Sequence, residues 1–158
     1  MADSAREIEN LLYTYAERID AGDLEGVADL FEHGRILPSP GAARTISFDG
    51  RESVLGMYRA ATRLYPDGTP RTRHVTTNAI IEVDEGSGTA TARSYYTVFQ
   101  QTDALPLQPI IAGHYHDTFR RIDGTWWFET RTMFVDLMGD LSQHLLYALT
   151  PAGRPTRA

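Results

Sequence analysis

His74, Thr76 and Asn78 stand at alternate positions of the stretch Arg71–Asn78, which runs on into apolar residues at Ile80 and Val83. In an extended strand, residues two apart share a face, so these three side chains project together, with Ile80 next along. Val75, Thr77, Ala79, Ile81 and Val83 project the other way. A polar line beside an apolar one faces either water or a cavity. The solvent reading makes His74 a structural residue. The cavity reading gives it chemistry: a neutral imidazole accepts a proton at physiological pH, its unperturbed pKa being about 6.5. A carboxylate on the second ring nitrogen would fix the tautomer and stabilise the imidazolium that forms.

That strand needs elements to hold it. Residues 4–20 predict a helix, with Ser4 and Glu7 as a capping box and Ile8, Leu11, Leu12, Tyr15 and Ile19 on one stripe. Ala21-Gly22 ends it, and Asp23 caps a second helix that buries Leu24, Val27, Leu30 and Phe31. Short strands are expected from Arg35 to Pro38 and from Thr45 to Phe48. A third helix, 51–65, carries Val54, Leu55, Tyr58, Ala61 and Leu64 on one face. The period then changes to two. Long strands are expected at 71–84, 89–101, 110–121 and 125–136, with a proline-interrupted loop at 103–109. Asp123-Gly124 marks a hairpin turn. Residues 138–149 read as a short helix or an irregular arm, and 150–158 as a polar tail. Helices first and a strand meander afterwards predict an α+β fold in one domain, 1–149, with the helices packed in a curved, mainly antiparallel sheet. Twist closes such a sheet into a cone with a pocket among its inward side chains.

Composition narrows the function classes. The 158 residues carry a net charge of −6, and all 15 basic residues are Arg. An acidic chain without a basic run argues against nucleic acid or an anionic membrane as partner. Without Lys there is no Schiff-base chemistry. Without Cys there is no disulfide, thiolate nucleophile or Cys-based zinc site. No stretch approaches the roughly 20 apolar residues of a membrane span, and the charged N-terminus does not read as a signal peptide. A cytoplasmic protein is the expectation.

Four stretches together resemble the SnoaL-like branch of the nuclear-transport-factor-2-like superfamily. They are Leu12–Asp23 with Leu30-Phe31; Phe48–Glu52; His74–Asn78; and Gly113–Phe128, with its Tyr115, Asp117, Phe119, Asp123-Gly124 and Trp126. Within that superfamily the chain looks closest to the group of hexachlorocyclohexane dehydrochlorinase, scytalone dehydratase and the bile-acid dehydratases. The resemblance implies a cone-shaped α+β barrel and places four site residues. Asp20 matches an aspartate at the end of the first helix, and His74 a histidine on the third strand. Arg131 matches a buried arginine on the last strand, and Tyr15 a tyrosine five residues before the aspartate.

The implied activity is that of a cofactor-independent lyase acting on an apolar cyclic small molecule. His74 and Asp20 would remove a proton, and Arg131 would draw out hydroxide or halide. An isomerase or polyketide cyclase would use the same base. A non-catalytic ligand-binding or assembly module is the alternative from a different class, since fold does not fix function. A buried Asp20–His74 contact would favour an enzyme, and a cone filled with side chains would favour the module. Tyr58, Tyr96, Ile111, Tyr115 and Met133 are candidate pocket walls. Each residue also has a bland reading: Asp20 as a helix end that bonds nearby backbone or is solvated, Arg131, alternating with Glu129, in an exposed cross-strand ion pair, Tyr15 as core with a satisfied hydroxyl. His114 and His116 would point outward, Tyr115 matching an inward position, so no metal site is expected. A homo-oligomer, trimer or dimer, would cover an outer face bearing Val75, Ile81 and Val83.

Overall fold

The computed structural model of the chain describes residues 3–42 and 45–148, so the expected tail lies outside the described residues. Helix α1 (Ser4–Asp20) forms where Ile8, Leu12, Tyr15 and Ile19 recur at helical spacing and bury one stripe. Its cap is Asp3, one residue before the expected Ser4. The Asp3 carboxylate accepts from the backbone N–H groups of Ala5 and Arg6, which a serine in the first turn would not reach. Gly22, at φ 75°, lets the chain reverse directly after α1, and it lies against the Gly68 carbonyl where any Cβ would clash. Asp23 then caps α2 (Leu24–Asp29) by accepting from Gly26 N–H at 2.8 Å.

Strands β1 (Arg35–Leu37) and β2 (Phe48–Asp49) are short. Helix α3 spans Gly50–Ala61 and stops four residues before its expected end. The reason is competition for its backbone: Thr62 pairs with Leu145, and Arg63 N–H donates to the His144 carbonyl. Leu64 is consequently exposed. Of residues 138–149, read as a helix or arm, those described after Met138, up to 148, therefore form an irregular segment tied to the end of α3.

Four long strands complete the fold: β3 (Thr72–Asp84), β4 (Thr89–Thr102), β5 (Leu105–Ile122) and β6 (Thr125–Met138). The sheet order is β2-β1-β6-β5-β4-β3, antiparallel except for β1 beside β6. The segment 103–109, expected as a loop, is mostly strand. Pro106 and Pro109 are tolerated because β5 pairs there with β4 alone; β6 joins only from Ile111.

Two of the sheet's register shifts decide which side of it His74's neighbours and Arg131 face. β4 alternates strictly, with Ala90, Ala92, Ser94, Tyr96, Val98 and Gln100 buried. His74 pairs with Val98 and Thr76 with Tyr96, but after a bulge between Thr77 and Ile80 it is Ile81 that pairs with Ala92 and Val83 with Ala90. Asn78, at φ 55°, takes the left-handed conformation that makes the bulge. The inward face thus passes from His74 and Thr76 to Ala79, Ile81 and Val83, which pack against the core. The expected single polar face is corrected: Asn78 does not share it, and Ile80 rather than Ile81 lies outside. A second register shift, between Thr118 and Phe119, puts Phe128 and Arg131 on the same inward side although they are three apart.

Candidate functional site

Asp20 is the last residue of α1, directed at the start of β3. Its Oδ1 meets His74 Nδ1 at 2.6 Å and accepts from the Thr72 hydroxyl at 2.8 Å. Its Oδ2 accepts from the His74 backbone N–H at 2.8 Å. An ionised carboxylate only accepts, so the proton in the ring contact sits on His74 Nδ1. In its neutral form the ring then keeps its lone pair on Nε2. The His74 side chain is 7% exposed and that of Asp20 15%. Both line a cavity of ≈ 530 Å³ between α1 and β3, together with Tyr13, Ala16, Glu17 and Thr76. The pairing was expected from the resemblance, whereas the part of Thr72 was not read from the sequence.

Arg131 does not line that cavity. It is fully buried and grips Asp117 through two parallel hydrogen bonds, Nε–Oδ1 at 2.8 Å and Nη2–Oδ2 at 2.9 Å. Its guanidinium lies 3.9 Å from the Tyr115 ring centre and 4.3 Å from that of Tyr15. Burial works against both charges. It pushes the Asp117 carboxyl up while the guanidinium pulls it back, and Asp117 holds Arg131 charged at any working pH. The exposed cross-strand pair is overturned by the register shift at Thr118/Phe119: Arg131 is buried, and Glu129 is the residue that pairs across strands on the outside, with Arg120.

Tyr15 is core. Its hydroxyl meets that of Tyr58 at 2.6 Å, and its ring stands edge-on to Tyr115. Tyr15 and Asp20 do not converge, because Asp20 is still helical and five residues turn about 140°. Tyr58, Tyr96 and Tyr115 are buried, and Ile111 and Met133 pack against the same core. None of these five expected wall residues borders the cavity at the dyad. Burial raises the phenols of Tyr15, Tyr58 and Tyr115, so they remain protonated. Tyr96 passes Gly113, where a Cβ would strike it, and donates to the Phe134 carbonyl at 2.8 Å.

His114 bonds Asp136 at 2.7 Å and stacks on Phe134, with His116 beside it on the outer face. One further residue, beside His74 though not on the cavity's lining, was pointed to by no periodicity. His144, from the irregular segment after β6, places its ring centre 6.3 Å from that of His74. Burial and the His74 ring lower its pKa to about 4, with Asp20 opposing. No spacing in the sequence links positions 70 residues apart within an arm without a repeat.

The sequence matches no curated protein. Solved structures are more telling. A protein of unknown function from Mycobacterium tuberculosis is 27% identical, with a TM-score of 0.66 over 84% of this chain and 72% of its own. A cystatin-like-fold protein of unknown function from Nostoc punctiforme is 25% identical, with a TM-score of 0.68 over 87% and 94%. A Novosphingobium aromaticivorans structure provisionally named scytalone dehydratase is 24% identical, with a TM-score of 0.70 over 98% and 95%, a likeness of fold. The sequence model of the SnoaL-like domain matches residues 1–132, a span that contains α1 with Asp20, the third strand with His74, and Arg131. With the α+β cone built as that match requires, the chain belongs to the SnoaL-like family.

Proposed function

We propose that the protein is a cofactor-independent lyase that removes water or halide from an apolar cyclic small molecule, with His74 as general base and Asp20 as its partner. The observation that carries this reading is the 2.6 Å contact of His74 Nδ1 with a carboxylate whose two oxygens are otherwise taken by Thr72 and the His74 backbone. Asp20 is thereby fixed, the tautomer is fixed with it, and Nε2 is the nitrogen left to accept a proton at the cavity. In the elimination, His74 takes a proton from carbon while the leaving group departs from the neighbouring carbon. The same base would serve an isomerase or cyclase. Arg131 enters as the counter-ion of Asp117 and not as the cation for the leaving group, since two of its three nitrogens are spent on that carboxylate. Its removal would leave a buried carboxylate uncompensated, at a cost of about 3–5 kcal/mol.

A panel of cyclic β-hydroxy and β-chloro ketones tests the reading, with the enone product followed in the ultraviolet. Wild type turns over a member of the panel and His74→Gln does not. One observation favours a ligand-binding or assembly module as second reading: Tyr15, Tyr58, Tyr115 and Arg131 fill the interior of the cone. We further propose a homo-oligomer that covers the exposed outer face of the sheet.

A further inference from the structure

Five buried side-chain polar atoms among the described residues have no hydrogen-bond partner, and three of them, Arg63 Nε, Gln100 Oε1 and His144 Nδ1, belong to one junction. There the segment after β6 crosses the end of α3. Arg63 N–H donates to the His144 carbonyl, and Leu146 N–H to that of Ala61, both at 2.9 Å. The Gln143 carbonyl accepts from the Tyr65 hydroxyl at 2.6 Å and from Gln100 Nε2 at 3.0 Å. The backbone of the segment is therefore pinned by α3 and β4, while the imidazole it carries is unpaired.

A buried ring nitrogen without a protein partner is a place where a bound group, water or ligand, gains a hydrogen bond. His144 is 8% exposed. Its ring centre lies 6.3 Å from that of His74, with the planes at 66°. That is too far for a hydrogen bond between the rings and near enough for both to touch one bound group. Burial keeps this second imidazole neutral. A neutral imidazole donates a hydrogen bond without competing for the proton that His74 takes.

We propose that His144 contacts the ligand and donates a ring N–H hydrogen bond to the oxygen that gains negative charge as His74 removes the proton. The inference rests on the dyad reading and adds to it the group that receives the charge. For a β-hydroxy ketone, the C–H bond beside the carbonyl breaks and its proton goes to His74 Nε2. The electron pair moves through the carbonyl carbon onto oxygen, where His144 holds it. The pair then returns to form the C=C bond as the C–O bond breaks, and the hydroxide takes the proton back from His74 and leaves as water.

The test is a titration of ¹⁵N-labelled protein with 4-nitrophenol, an apolar ring with one acidic oxygen, and with 4-nitrotoluene, which lacks that oxygen. The expected result is that 4-nitrophenol moves the ring resonances of His74 and His144 and 4-nitrotoluene leaves His144 in place. His144→Phe weakens 4-nitrophenol binding about tenfold or more, and His144→Asn, which keeps a side-chain N–H, recovers part of it. Melting curves show that both variants are folded. The proposal is overturned if the His144 resonances stay still, if folded His144→Phe binds as wild type, or if millimolar 4-nitrophenol does not bind. A shift at His144 with none at His74 would sustain this contact and overturn the dyad reading instead.

Discussion

Asp20 accepts three hydrogen bonds, all from the first three residues of β3. It therefore ties the end of α1 to the strand and orients the imidazole with the same carboxylate. His144 has no such partner, and its protonation works against the fold. The groups facing it are His74 from β3 and Asp20 from α1, with Arg63 after α3 joined through its backbone. Its folded pKa of about 4 lies below the usual 6.5. The neutral form is then the folded form, and the unfolded chain takes up a proton first as pH falls. Stability from this group is complete above about pH 6.5, declines between about 6.5 and 4, and levels off below, a loss of about 3 kcal/mol. Denaturant unfolding across that window should show a steeper decline in wild type than in His144→Asn; equal slopes would contradict it. At this scale His74 and Asp20 were legible because each sits in a motif at an element end. His144 was not, because nothing local marks a side chain that tertiary tethers carry to the site.

The long strands were legible from their alternation, α1 from its stripe, and α2 from its stripe and its Asp23 cap. The bulges were not, because period-two reading assumes an unbroken pleat. Asn78 and the shift at Thr118/Phe119 each insert a residue, and each changes which chemistry faces inward. Without the first, Ile81 and Val83 would face outward below His74. Without the second, Arg131 would lie on the surface with Glu129. Asn78 holds φ 55°, which Gly adopts freely and a β-branched residue does not. Asn78→Val should cost about 1–2 kcal/mol in chemical denaturation, and Asn78→Gly little or nothing. Equal stability of the two variants would show that the left-handed residue does not set the bulge. The early part of β5 was missed for a related reason: a proline reads as a break, but it is compatible with a strand that has a partner on one side only.

Taken whole, the molecule has a filled cone, a dyad at the seam between α1 and β3, and an outer sheet face with Val75, Ile80, Tyr95 and Leu137 exposed. These four lie on neighbouring rows of paired strands, continuous with a groove of ≈ 630 Å³ that also holds His114 and His116. Apolar side chains grouped on one face call for cover, and another copy of the chain supplies it in the proposed oligomer. Light scattering should give wild type a mass of two or three times 17.7 kDa and Tyr95→Glu a smaller one; a wild-type mass of 17.7 kDa would contradict it. The proposed function turns on one step, in which His74, held by Asp20, removes a proton from carbon. Its most direct test is the rate of enone formation from the cyclic β-hydroxy ketone that wild type turns over fastest, measured with wild type, His74→Gln and Asp20→Asn, each checked for native circular dichroism. The expected loss is about 10²–10⁴-fold for His74→Gln, with a marked loss for Asp20→Asn. Turnover by folded His74→Gln at the wild-type rate would contradict it.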